Sequence, residues 1–202
     1  MPQAESMPVQ GHGPLAETIK LLKVFIIMRK RFSSQTLKQY FSTAWSCLPE
    51  KTQNDLCKFI RQVREVENLE GIYIGCPDGT RYGPVEDGEG FTFLYKDDEV
   101  AFCDIILSSS LGEGLQEYAI STILHELAHA LDYFISPEDA VKSIRFNAEV
   151  NAWDKAISWA KEGIPDSALT QEIEYSAVRA KLRLGLAELT EIVKTVIESE
   201  YS

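Results

Sequence analysis

The chain has 202 residues, 45% of them hydrophobic and 25% charged, with a formal net charge of −11. That length suits one domain with a sizeable core, and the acidic balance argues against a nucleic-acid partner, which needs a basic footprint. The longest apolar run near the amino end, Val24 to Met28, is too short to span a bilayer, so no membrane insertion is expected.

Residues 1–13 are polar and rich in Pro and Gly, and read as a disordered tail. His12 belongs to this tail and is not expected to be a ligand. The tail lacks the charged start and apolar run of a signal peptide, which points to a cytoplasmic protein, although an effector exported by specialised secretion needs no such signal. Residues 14–202 read as a single domain: a helical amino-terminal part (14–70), a sheet with a metal site (71–162) and a carboxy-terminal helix (163–202). Within the first part, Leu15, Ile19, Leu22 and Ile26 recur at helical spacing and Arg29-Lys30-Arg31 suits a helix end. Residues 21–28 are apolar nearly all round, which leaves a buried strand open. Residues 34–47 and 49–67 predict two more helices, the second with Leu56, Phe59, Ile60 and Val63 on one face.

From residue 71 the texture changes. Residues 71–75 read as a short strand, and residues 76–90 form a loop rich in Gly, Pro and Asp. Its acids Glu86, Asp87 and Glu89 lack the ligand spacing of a calcium loop. Residues 91–95 and 100–107 alternate as two strands joined by a turn. The cysteines, Cys47, Cys57, Cys76 and Cys103, have no Cys-x-x-Cys pair and no framework spacing, so reduced thiols are expected. A Cys76–Cys103 bridge would require neighbouring strands.

The stretch that carries chemistry is His125-Glu126-Leu127-Ala128-His129. Residues four apart on an α-helix lie about 40° apart, so both imidazoles point one way and can share a Zn²⁺ ion, while Glu126 is turned aside. Ile120, Ile123, Leu124, Leu127, Leu131 and Phe134 make an apolar face, and Tyr118, His125, His129 and Asp132 fall on the other side. A catalytic zinc site needs a third protein ligand, and no His follows His129. The candidates are carboxylates on the helix predicted to start at Ser136-Pro137 and to end near Glu162: Glu138, Asp139, Glu149, Asp154 and Glu162. Glu149 shares a stripe with Ala152, Trp153, Ala156 and Ala160, where an unpaired carboxylate would cost several kcal/mol. Asp154 lies opposite; Glu138 and Asp139 explain themselves as first-turn acids. The competing partner for Glu149 is Arg145, one turn earlier. From about residue 167 to 198 the chain is helical again, with Gly185 a candidate break.

The His-Glu-x-x-His run with Glu149 twenty residues beyond His129 resembles the gluzincin branch of the zincin metallopeptidases. Glu149-Val150-Asn151 is similar to the third-ligand element of some small intracellular gluzincins, and His129-Ala-Leu-Asp132-Tyr133 to the motif's continuation in anthrax-lethal-factor-like peptidases. The resemblance covers about residues 100–162. It implies an α+β, zincin-like fold, with a small antiparallel sheet ahead of the motif helix and the third-ligand helix. It also implies an edge strand, residues 91–95 or 101–108, that binds an extended protein or peptide substrate by β-addition. Zn²⁺ would activate a water and polarise the carbonyl, with Glu126 as the general base that passes the proton to the leaving amine. Tyr118 or Arg145 would face the oxyanion, and Asp132 would either orient a ligating imidazole from behind or serve simply at the helix end. The alternative is a non-catalytic zinc-binding regulatory or interaction module, in which an intact Glu126 would have no task.

Overall fold

The computed structural model describes residues 28–67, 90–97, 100–137 and 145–200. Along the chain these form β1 (Arg29–Arg31), α1 (Gln35–Ser46), α2 (Glu50–Phe59), β2 (Ile60–Val66), β3 (Gly90–Asp97) and β4 (Val100–Ser108). A 3-10 turn (Ser109–Gly112) then leads into α3 (Gln116–Ile135), α4 (Arg145–Gly163) and α5 (Ser167–Glu200). The fold is α+β. Among the described residues its sheet has the order β1-β2-β4-β3, so β4 is interior and β3 stands last in that order.

The sheet is mixed rather than antiparallel. Among the described strands β3 and β4 run antiparallel, while β1 pairs with β2, and β2 with β4, in parallel. The helical reading of residues 14–70 is therefore corrected twice. Arg29-Lys30-Arg31 is a strand and not a helix end, and the helix expected to reach residue 67 stops at Phe59. The physical reason lies in β2. Its register against β4 shifts between Ile60 and Gln62, and such a bulge breaks the two-residue alternation. Ile60 and Val63 are consequently both fully buried in the core although three residues apart. That spacing imitates a helix. The β-branched content of β2 and its ladder to β4 override the local periodicity.

Residues 15–27 and 71–75, the tail with His12, the acids of the 76–89 loop, Cys76, and Glu138 with Asp139 lie outside the described residues. Serine and glutamate fix the entry to α1: Ser34 Oγ accepts from Leu37 N at 3.1 Å, and the Glu65 carboxylate accepts from Ser33 N and Ser34 N. α5 is unbroken through Gly185, around which a Cβ would meet nothing within 4 Å. A helix interior tolerates such a glycine for about 1 kcal/mol.

Cys103, Ile105 and Leu107 of β4 point to the helices and enter the main core with Leu37, Phe41, Leu56, Ile120, Ile123, Leu124 and Leu127. The other face of β4 carries Phe102, Asp104 and Ile106. There Asp104, 1% exposed, accepts from Arg61 Nε at 2.9 Å, from Arg61 Nη2, and from Gln62 Nε2 at 2.7 Å. The Arg61 guanidinium also lies over the rings of Tyr95 and Phe102. Cys47, Cys57 and Cys103 are free thiols, so Cys103 makes no bridge. Burial pushes the Cys47 thiol up to about 11 and Cys103 well above its ordinary range, with Asp104 adding to the latter. Among the described residues, no helix is long and apolar enough to cross a membrane.

Candidate metal centre

α3 is the central element, packed on β3 and β4 on one side and on α4 and α5 on the other. That position buries it nearly all round from Ala119 to Ala128, polar residues included. Phe134, expected in the apolar face, is instead exposed near the end of the helix, where its ring meets Phe59 edge-on at 5.6 Å.

α4 brings Glu149 against the two histidines. Glu149 Oε2 lies 3.0 Å from His125 Nε2 and 3.5 Å from His129 Nε2, and the two Nε2 atoms are 3.0 Å apart. The rest of the α4 stripe behaves as the sequence implies: Ala152, Trp153, Ala156 and Ala160 are buried. Asp154 is on the far side, paired with Lys181 of α5, and Glu162 is exposed beside Ser158.

The electrostatics favour a cation at this point. Burial pushes the Glu149 carboxyl up, but hydrogen bonds and charge from His125 and His129 outweigh it and hold the group well below the usual carboxylate range. Burial likewise pushes His129 down, yet Glu149, Glu126 and Asp132 together raise it. Two protonated Nε2 atoms at 3.0 Å would repel each other while serving one carboxylate oxygen. A central cation removes that conflict. Tetrahedral Zn²⁺ with bonds of about 2.0–2.1 Å sets its ligand atoms about 3.3 Å apart, and the observed separations of 3.0, 3.0 and 3.5 Å bracket that value. The donor set, two imidazoles and a carboxylate, fits zinc.

Glu126 stands apart from this triad. Its carboxylate Oε2 accepts from Thr92 Oγ1 at 2.7 Å, and the same hydroxyl lies 2.9 Å from the Glu126 carbonyl oxygen. Gly90 makes room for it: a Cβ there would fall 2.7 Å from Glu126 Cγ and 3.1 Å from Oε1. Strand β3 thus grips Glu126 at two points.

The remaining sequence candidates separate. Asp132 is paired with Lys155 of α4 and ties the two helices together. It bears on His129 through its charge. Tyr118 packs half-buried against the core near the start of α3. The Arg145 side chain lies outside the described residues. His125 Nδ1 is buried with no hydrogen-bond partner among the described residues. Its ring is held by stacking on Trp153, centroids 4.1 Å apart and planes inclined 28°.

Three residues of the site have roles that the sequence reading does not assign: Gly90, Thr92 and Trp153, the last entering it only as a member of the Glu149 stripe. Two of them had a signal. Thr92 is the one polar residue in Phe91-Thr-Phe-Leu-Tyr95, and Trp153 lies one helical turn after Glu149. No protein-family model, no curated relative and no solved structure matches the chain.

Proposed function

We propose that this chain is a zinc-dependent endopeptidase with a gluzincin-like site, in which His125, His129 and Glu149 hold the ion and Glu126 is the general base. The observation that carries the reading is the convergence of three donor atoms within 4.8 Å of one another beside a fourth group, Glu126, tied to a different element. A bound Zn²⁺ supplies Lewis acidity, making water a nucleophile near neutral pH and polarising a carbonyl.

The protein's own groups do the rest. Thr92 occupies Oε2 of Glu126, which leaves Oε1 to take a proton from water and deliver it to the leaving amine. Stacking on Trp153 fixes the His125 ring, and the Asp132–Lys155 pair holds α4 at the distance that lets Glu149 reach the histidines. Of the two strands considered for substrate binding, β4 is interior and β3 is the outer one among the described strands. An extended peptide would therefore add along β3, beside Glu126. The free thiols support an intracellular site of action.

Metal analysis of the purified chain should find one zinc, lost in Glu149→Ala while the fold survives. Cleavage of a broad peptide library should then fall by roughly 10²–10⁴-fold in Glu126→Gln with zinc retained. Identical profiles for wild type and Glu126→Gln would replace the peptidase with a non-catalytic zinc-binding module.

A further inference from the structure

Among the described residues, two buried side-chain atoms lack a hydrogen-bond partner: His125 Nδ1 at the metal centre, and Arg64 Nε on β2. The second belongs to a cluster of its own. Lys30 of β1 reaches over the Phe41 and Trp45 rings of α1. Its neighbours Arg29 and Arg31, both exposed, therefore point to the opposite face of the sheet, because successive residues of a strand alternate. In the parallel ladders Arg31 stands opposite Arg64, and Arg64 opposite Ile106, which lies on the same face as Asp104. Three guanidinium groups thus leave one face of two adjacent strands.

None of the three forms an ion pair among the described residues. Asp104, the neighbouring acid on β4, is already engaged by Arg61 and Gln62. Like charges directly opposite each other destabilise a sheet, and a buried guanidinium nitrogen without an acceptor has lost its hydration with nothing in return. Charges on an outer strand discourage pairing with a second sheet, which accounts for Arg29 and Arg31 on the outermost described strand. It leaves Arg64 unexplained, because β2 lies between β1 and β4. In a chain with a formal net charge of −11, this local excess of positive charge calls for an anion.

We propose that Arg29, Arg31 and Arg64 bind the phosphoryl group of a phosphate ion or phosphate monoester, on the sheet face turned away from α3. Adjacent strands lie about 4.8 Å apart, and residues two apart on one strand about 6.6 Å. The three side chains therefore spring from a small triangle and can close on one tetrahedral group. A guanidinium offers a planar fork of donors that suits phosphate oxygens. A phosphate monoester brings nearly two negative charges and three acceptor oxygens at neutral pH, one oxygen for each arginine. A carboxylate brings a single charge and leaves one arginine without an acceptor. Phosphoryl binding here requires nothing of the metal centre.

Calorimetric titration of the full chain at low ionic strength, where exposed charges are least screened, should show one saturable site for phenyl phosphate and weaker binding of acetate. Arg64→Gln and Arg31→Gln should each weaken the site about 10–100-fold, the worth of one charge-assisted hydrogen bond, with metal content unchanged. Arg64→Lys, which keeps the charge without the fork, should recover part of the loss. If Arg64→Gln fails to fold, Arg31→Gln on the exposed strand carries the test. Inorganic phosphate binding as tightly as phenyl phosphate would support a free ion as the ligand, and tighter binding of the ester a phosphorylated molecule. Acetate binding as tightly as either would make this a carboxylate site and overturn the proposal. Binding unchanged in both glutamine variants would place the anion elsewhere, the metal centre included, and overturn it as well. No saturable binding below about 10 mM overturns it too: a lowered melting temperature in Arg64→Gln would then point to an acidic segment of this chain as the partner, and an unchanged one to solvent.

Discussion

Gly90→Ala tests how closely the chemistry depends on strand β3. The added methyl carbon would lie 2.7 Å from Glu126 Cγ and 3.2 Å from its Cδ, where ordinary carbon contacts are about 3.5–4.0 Å. The Glu126 side chain must therefore move by about 1 Å. It cannot do so freely, because the 2.7 Å bond from Thr92 holds its carboxylate in place. Overpacking of this kind costs about 1–3 kcal/mol of stability, which lowers the melting temperature by about 2–12 °C in a chain of this size. Misplacing a catalytic group by about 1 Å costs about 10²-fold in rate. Since Glu126 is not a ligand in this reading, zinc content should stay at the wild-type value. The assay pairs metal analysis with the initial rate on a peptide drawn from the cleavage library, and Thr92→Val serves as a comparison that loosens Glu126 without crowding it. Full activity in Gly90→Ala with zinc retained would refute the claim that β3 positions the base. Loss of zinc would refute the separation of Glu126 from the triad.

The stack on His125 should be readable in metal affinity. Trp153→Phe keeps an aromatic face and should bind zinc nearly as wild type, whereas Trp153→Leu should lose about 10–100-fold, the range seen when a ligand's supporting group is removed; equal affinities would sink this role. Zinc loading should weaken as pH falls, because the carboxylates around His129 raise its affinity for a proton as well as for a cation. Below the raised His129 value, a competitive titration should show affinity falling by at least about tenfold per pH unit as the metal displaces protons from its ligands, and a flat profile would contradict it. Among the described cysteines, Cys57 is exposed while Cys47 and Cys103 are buried. Thiol counting without reductant should label Cys57 in the native chain and all four cysteines after denaturation; only two labelled after denaturation would mean a disulfide.

The site was more legible in the sequence than the sheet. His125, Glu126 and His129 sit on one helix, where spacing alone dictates direction, and Glu149 betrayed itself as a charge in an alanine stripe. Such local arguments need no knowledge of neighbours. The direction of strand pairing does. Nothing in Ile60–Val66 announces a parallel partner 43 residues on, and a bulge gave that strand the periodicity of the helix before it. Gly90 and Thr92 escaped for the same reason, since their meaning lies in how close β3 comes to a helix more than 30 residues away.

The ion pair on the reverse of the sheet has a consequence for the centre itself. Asp104 faces Gln62 on one side and Phe93 on the other in the strand ladders, and Thr92 sits opposite Ile105. A slip of β2 or β3 by one residue would turn every side chain of that strand to the wrong face. A slip of β2 would also strip the buried Asp104 of Arg61 and Gln62, and leaving a buried acceptor unsatisfied costs about 1–3 kcal/mol. The carboxylate therefore works as an alignment pin. Its partner Arg61 also lies over Tyr95 of β3, so the same ion pair spans β2, β4 and β3, the strand whose Thr92 meets Glu126. The placement of Glu126 is thus tied to the face of the sheet turned away from the three candidate ligands.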